Sequence, residues 1–385
     1  MRRSTDRILT SHAGSLARPL DLLDMIKEKI NDRPYDEAAW AERTRSAVAE
    51  IVQQQADAGI DIPSDGEISK PMFSDYVADR LSGFEGENQG PPFANYSQRP
   101  EPFPGFAATR GPGGLIGPKE RRPLNVGPMA WKDRAYNEDI ANMKAAMAAA
   151  GVEEGFLPSP SPGIVAMRIP TDYYKTEEEY LFALADVLKD EYKAIVDAGL
   201  ILQIDAPDAA MSWDRQNWKD IPEFRKALQA RHAALNHALK DIPTDRVRYH
   251  VCWGNNEGHH SNDIELKEIV DLILQVDAQL YSIEAANPRH AHEWKVWETV
   301  KLPEGKILMP GVIDSLTNFV EHPEVVAQRI VQYAGLVGRE NIIAGVDCGF
   351  GTGASATPRV HPELVMAKFR SLSEGAKIAS RELWK

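Results

Sequence analysis

The sequence predicts an α/β chain folded as a (β/α)8 TIM barrel with a long insertion after the second strand, and three observations predict it. Short β-rich runs alternate with helical stretches from one end of the chain to the other, the pattern of a sheet wrapped by helices. The runs are apolar enough to be buried on both faces, which marks parallel strands. Residues able to do chemistry sit where the runs stop, and in a (β/α)8 barrel that C-terminal rim is where chemistry gathers. One catalytic domain over 1–385 accounts for this, with residues 83–122 as an inserted lid or arm.

The first strand is ILTSHAGS, Ile8 to Ser15. Val48, Ile51, Val52 and Gln55 keep a helical rhythm that predicts a helix over Glu42 to Ala58, ended by Gly59. IDIPSDGE, Ile60 to Glu67, is the second strand and stops at an acidic turn. From Gly83 to Arg122 the chain is rich in Gly, Pro, Asn and Phe without periodicity, and so long a loop in a compact protein is a lid, an arm or a disordered segment. As a surface excursion it packs on the barrel or on a second subunit, which leaves room for a homo-oligomer. As a flap it brings Phe93, Tyr96, Phe103 or Phe106 over the site as apolar cover.

PLNVGP, Pro123 to Pro128, makes nine strand-like runs where a barrel needs eight, and is assigned as the extra one. A helix over Asn137 to Ala150, a strand within Glu153 to Gly163, and a helix over Glu177 to Ala198 capped by Gly199 come next. The remaining strands are Leu200 to Asp208, Arg246 to Asn255, Leu280 to Pro288, Lys306 to Ser315 and Ile342 to Gly351. Between them lie helices over Pro222 to Leu239, Glu265 to Val276, a short stretch before Lys306, and Pro323 to Val337; His361 to Ser380 closes the chain.

In RYHVCWGN, His250 and Cys252 alternate with Tyr249 and Val251, so on a strand an imidazole and a thiol leave one face together. That is half of a zinc site. Two ligands from one strand cannot close a tetrahedron, and the other candidates stand at two further strand ends: Glu284 in LYSIEAANP and Cys348 in IIAGVDCGFG. Closely spaced pairs such as CxxC, the usual mark of a structural zinc, do not occur.

A net charge of −13 and a pI near 5.3 disfavour nucleic acid and acidic membrane surfaces as partners. No run has the length of a spanning helix, MRRSTDR leads into ILTSHAGS without a signal-peptide core, and two distant cysteines make no disulfide framework, so the chain reads as cytoplasmic.

With these residues in view, the chain resembles the cobalamin-independent methionine synthase family in its short, single-barrel form. The pieces, in the family's order, are TSHAGSLARP, SDGE at Ser64 to Glu67, QIDAP at Gln203 to Pro207, HVC at His250 to Cys252, Glu284 in SIEAA, PGVIDS at Pro310 to Ser315 and DCGFG at Asp347 to Gly351. The resemblance implies a Zn²⁺ held by His250, Cys252, Glu284 and Cys348, with Glu284 the ligand that loosens when a substrate thiol arrives. In the synthases that thiol is homocysteine, and zinc lowers its pKa enough to make it a nucleophile at neutral pH. Position by position, Glu67 and Asp205 match carboxylates that hold the amino group of the thiol, and Gly14 and Ser15 the segment that holds its carboxylate. His12 matches a retained histidine, giving His12, Glu67 and Asp205 as catalytic candidates, with Asp208, Trp253 and Asp314 as further substrate-binding residues.

Departures bear on the methyl donor. Ala206 stands where synthases carry the glutamate of QIDEP, Leu316 where they carry a histidine proposed as an acid, and the N-terminal second barrel of the long enzymes, which helps hold polyglutamyl folate, has no counterpart. Three readings follow: thiol methylation by a donor other than, or held more loosely than, polyglutamyl folate; opening of an epoxide or similar electrophile by a thiol, as in the epoxyalkane:coenzyme M transferases; or a binding protein with structural zinc. His259, His260, His290 and His292, on loops after ligand-bearing strands, are read as solvated. The Trp213 to Trp218 stretch is read as a pocket wall or as rim packing.

Overall fold

The computed structural model describes residues 1–91, 97, 102, 103, 105 and 122–385. Phe93, Tyr96 and Phe106 lie outside the described residues. Seven parallel strands form one curled sheet: β1 (Leu9–Thr10), β4 (Phe156–Pro160), β5 (Ile201–Asp205), β6 (Val247–Val251), β7 (Leu280–Ile283), β8 (Ile307–Ile313) and β9 (Ile343–Val346). Their order is β1-β9-β8-β7-β6-β5-β4. Nearly every strand residue is buried, as parallel strands covered on both faces must be.

The predicted second strand, Ile60 to Glu67, is reduced to two contacts that join the edge strands. Ile62 pairs in parallel with Ser11, and Ser64 in parallel with Phe156. Ile62 also belongs to the interior apolar layer with Leu9, Phe156, Ile201, Leu280, Ile307, Met309 and Ile343. Residues 62–64 therefore occupy the gap between β1 and β4. Within that interior, β6 contributes Arg248, fully buried and 4.0 Å over the Phe156 ring.

The PLNVGP run stays out of the main sheet, as assigned: β3 (Pro123–Leu124) pairs antiparallel with β2 (Gly86–Glu87). Helix bounds follow the apolar rhythm closely at Glu37–Asp57, Tyr136–Ala150, Glu177–Asp197, Ile221–Leu239, Pro323–Val337 and Pro362–Leu383. Two readings need correction. Glu265 to Val276 is broken into a 3-10 turn, Leu266–Glu268, and a short helix, Val270–Ile273, because Ile269 leaves the helical region at φ −132°. The strand read within Glu153 to Gly163 stops at Pro160, and Pro162 and Gly163 instead open the helix Pro162–Arg168, started by Ser161 accepting from the Ile164 N–H and by Pro162 in the first turn. Leu20–Ile30 is a further helix that the sequence reading passed over.

Candidate metal centre and its cavity

Every strand of the sheet points its C-terminal end to one rim, where a cavity of about 220 Å³ opens. Its lining includes Ala13, Ser15, Glu67, Asp205, Arg215, His250, Cys252, Asn255 and Cys348. Ligand atoms of His250, Cys252 and Cys348 all lie within 4.8 Å of one another, and the two Sγ atoms are 3.6 Å apart as free thiols. His250 points Nδ1 at Ser282 Oγ, 2.9 Å away, while its Nε2 is buried without a hydrogen-bond partner. Burial, with Arg248 nearby, lowers the His250 pKa to about 3, so the ring is neutral. In the tautomer that donates Nδ1–H to Ser282, the Nε2 lone pair is open, the arrangement a metal-binding imidazole needs.

The thiols show the same want of a cation. The hydrogen bond with Cys252, followed by burial, pushes the Cys348 thiol well above its ordinary value, which disfavours an uncompensated thiolate at that position. A divalent cation between them reverses that balance. An orphaned buried nitrogen and two converging sulfurs therefore fit a soft metal ion.

Glu284 is beside this group rather than in it. Its Oε2 accepts the Trp253 N–H at 3.0 Å and its Oε1 accepts from Asn287 Nδ2 at 2.9 Å. The loop carrying it is held by Asp347, whose carboxylate accepts the N–H groups of Ala285, Ala286 and Asn287 at 2.7–2.8 Å. Asp347 thus ties Glu284 to the Cys348 strand end. Sequence reasoning quoted DCGFG without giving Asp347 a role; a carboxylate ending an apolar strand beside a ligand was the available signal.

Glu67 and Asp205 meet at the same cavity. Glu67 holds a left-handed backbone, φ 58°, directly after Gly66 at φ 68°. Its N–H donates to Asp65 Oδ1 at 3.0 Å, and Arg18 Nη2 lies 3.3 Å from its carboxylate. A non-glycine residue in that region costs on the order of 1 kcal/mol and clusters at functional sites. Asp205 accepts from Gln203 Nε2 at 2.8 Å, and burial followed by the charge of Glu67 raises its pKa well above the carboxylate range. Two buried carboxylates facing one space suit an ammonium group.

The other candidates are placed as follows. His12 is packed between Phe156 and Phe369, with Nε2 2.7 Å from Gln55 Oε1 and Nδ1 accepting the Gly14 N–H; it lies beneath the cavity lining and fixes the Gly14 turn. Ser15 lines the cavity, but its hydroxyl donates to the Gly351 carbonyl and accepts from Arg18 Nη1. Asp208 faces away: it accepts from Ser161 Oγ at 2.6 Å and stands 4.0 Å from Arg231. Trp253 donates Nε1–H to the Ile264 carbonyl and stacks on His290, centroids 4.1 Å apart. Asp314 accepts the N–H groups of Leu316 and Thr317, which makes it a turn residue. Trp213 and Trp218 pack on Phe224, so the rim-packing reading holds for them, while Arg215 from the same stretch and Met211 just before it reach the cavity.

Of the four loop histidines, His260 and His290 correct the solvated reading, while His292 is exposed as read. Asp263 Oδ2 lies 2.7 Å from His260 Nδ1 and 2.9 Å from His290 Nε2; His290 Nδ1 lies 2.9 Å from Glu293, and His260 Nε2 2.9 Å from the Asn256 carbonyl. Although burial opposes protonation, the Asp263 and Glu293 hydrogen bonds raise the His290 pKa to about 9. His260 is raised in the same way.

Fold and site together define an α/β enzyme with a candidate His/Cys/Cys metal centre at the C-terminal rim of its sheet. Residues 125–367 match the family described as "Cobalamin-independent synthase, Catalytic domain", and the chain belongs to that family, the cobalamin-independent methionine synthases, in its short form. It is a methionine synthase-like methyltransferase. It is 26% identical over 384 residues to a methionine synthase of Sulfurisphaera tokodaii, covering 97% of this chain and 93% of that one. A methionine synthase of Thermococcus kodakarensis is 24% identical, over 97% of this chain and 94% of its own. The fold is shared with a B12-independent methionine synthase from Shewanella sp. W3-18-1, solved in complex with selenomethionine: TM-score 0.73, 20% identity, 98% and 99% coverage. Among the described residues, no helix is long and apolar enough to cross a membrane.

Proposed function

We propose that this chain methylates the sulfur of homocysteine or a close amino-acid thiol, with zinc held by His250, Cys252 and Cys348 and with Glu284 as the exchangeable fourth ligand. One observation carries the reading: the open His250 Nε2 and the two Sγ atoms line the same small cavity as Glu67 and Asp205. A molecule with a thiol at one end and an ammonium at the other matches that pairing. The relatives named methionine synthases support homocysteine as the acceptor. Bound there, zinc supplies the Lewis acidity that keeps a ligating thiol deprotonated at neutral pH.

The chain's own residues do the rest. Ser282 fixes the His250 tautomer, and Asp347 keeps the Glu284 loop against the Cys348 strand end. Burial and the charge of Glu67 raise the Asp205 pKa well above the carboxylate range, and an ammonium between the two carboxylates offsets that repulsion and favours the ionised form of Asp205. Binding energy spent on the ammonium orients the sulfur toward the methyl carbon. The Ile62 and Ser64 bridges support residues 62–64 as the eighth strand of a closed (β/α)8 barrel, and one domain over 1–385. Ser97 donates to the Arg215 carbonyl at 2.9 Å and Phe103 meets the His259 ring at 4.9 Å, which supports 83–122 as an arm reaching the cavity rim. Cysteines that work as thiolates suit a reducing compartment, which supports the cytoplasm.

Glu67→Gln tests the ammonium assignment. Homocysteine should bind about tenfold or more weakly, while 3-mercaptopropionate, which lacks the amine, should be nearly unaffected. Equal losses on both would remove Glu67 from that role.

A further inference from the structure

The helices Leu20–Ile30, Glu37–Asp57 and Tyr136–Ala150 enclose, with residues 69–80, a cleft that shares no lining residue with the cavity at the strand ends. Its main chamber holds about 230 Å³, and a smaller one of about 40 Å³ opens beside it. Lys29, Trp40, Ser69 and Arg80 line both. Trp40 and Thr44 stand four apart on one helix, so ring and hydroxyl leave the same face, and Lys29 comes across from the last turn of the helix before it.

Most charge in the cleft is matched. Arg80 is buried 4.7 Å over the Tyr76 ring, with its Nη1 2.8 Å from Asp139 Oδ2, and the other Asp139 oxygen accepts from Ser69 Oγ at 2.6 Å. Arg45 is paired with Glu42. Lys29 is the exception. It is half-buried, yet among the described residues its Nζ has no oxygen partner and meets only the rings of Trp40, at 4.7 Å, and Tyr35, at 5.9 Å. Asp139, Asp133 and Glu138 act on it only from beyond ion-pair range, and burial, followed by the charge of Arg80, lowers its pKa. An anion in the chamber would reverse that shift.

A second group is unmet as well. Thr44 is 4% exposed and lines the main chamber, and its Oγ1 is buried without a hydrogen-bond partner. A cation held only by aromatic faces and a bare hydroxyl both call for an oxyanion. The smaller chamber is walled by Ile26, Ile30, Pro71 and Tyr76, an apolar slot that a bare phosphate would leave empty.

We propose that this cleft binds a small carboxylate bearing a short apolar tail, its oxygens at Lys29 and Thr44 and its tail toward Ile26 and Ile30. The site is separate from the sulfur chemistry and stands independently of the methyl-transfer reading.

The test is ligand-observed NMR titration of pentanoate against the zinc-loaded protein, with pentanol and inorganic phosphate as comparison probes. Pentanoate should bind, pentanol about tenfold more weakly, and saturating L-homocysteine should leave pentanoate affinity within about twofold. Lys29→Met should weaken pentanoate about tenfold or more and Thr44→Val about threefold, with circular dichroism unchanged. Thr44→Val removes only a hydroxyl at nearly constant shape, so it decides the matter should Lys29→Met fail to fold. Absence of pentanoate binding, equal binding of pentanol, displacement by homocysteine, or an affinity unchanged in either folded variant would overturn the site. Phosphate binding more tightly than pentanoate would overturn the carboxylate assignment.

Discussion

Two histidine clusters stand side by side on this rim, and they are opposites in hydrogen-bond accounting. In the His260, Asp263, His290 and Glu293 group each imidazole nitrogen has an oxygen partner at 2.7–2.9 Å, and the two rings alternate with carboxylates that favour their protonated forms. In the His250, Cys252 and Cys348 group one nitrogen is buried without a partner and two thiols face each other at 3.6 Å. Both bring three potential ligand atoms together. Only the second lacks what a cation would supply. The first is complete as an ion-pair clasp joining the loop after β6, which walls the cavity with Asn255 and Asn256, to the loop after β7, which starts at Glu284. Proximity of ligand atoms thus says little by itself; the unsatisfied group marks the site.

The contrast can be broken most directly at the thiols. Cys252→Ser or Cys348→Ser should take zinc content from about one per chain to near zero and abolish methyl transfer while the far-ultraviolet circular dichroism stays that of the wild type. Full turnover in either variant would end the metal account. A smaller effect is expected from Ser282→Ala, which frees the His250 ring: metal affinity, read by competition with a chelator, should fall about 10- to 100-fold with the fold intact.

The clasp should respond in stability and leave metal content unchanged. Asp263→Asn should retain its zinc and lose about 3 kcal/mol of stability, the usual result of breaking a buried ion pair. Its pH dependence has a definite sign. Because the folded His290 pKa is raised to about 9 from the ordinary value of about 6.5, its stabilisation is complete below about pH 6.5 and is lost as pH rises through about 9. Denaturant midpoints between pH 7 and 10 should therefore fall in the wild type and fall less in Asp263→Asn. Parallel curves would show that His290 is not the group responsible.

Much of the site was legible because its residues sit at ends of apolar runs. The i, i+2 spacing of His250 and Cys252 and the position of Cys348 after a buried strand place three ligands at one rim, and the structure brings those three together. Alternation of apolar runs likewise exposes the helices and strands whose faces are buried. What stayed hidden depends on side chains meeting across loops. Solvent exposure of His260 and His290 cannot be read from NEGHHSND and NPRHAHEW, because carboxylates 3 and 27 residues away decide it. Asp208 and Asp314 look like site carboxylates at strand ends, yet one is absorbed by Ser161 and the other by its own turn. The second strand was legible by pattern, while its reduction to two bridges was not, since a strand's length is set by how the sheet curls around it.

The central claim is that the His250, Cys252 and Cys348 corner receives a substrate sulfur. Zinc-edge X-ray absorption on the metal-loaded protein, before and after adding L-homocysteine, tests it most directly. The account predicts one zinc per chain whose shell holds two sulfurs at rest and gains one when the thiol is added. A shell unchanged by saturating thiol, or zinc that persists in a Cys252→Ser, Cys348→Ser double variant, would contradict it.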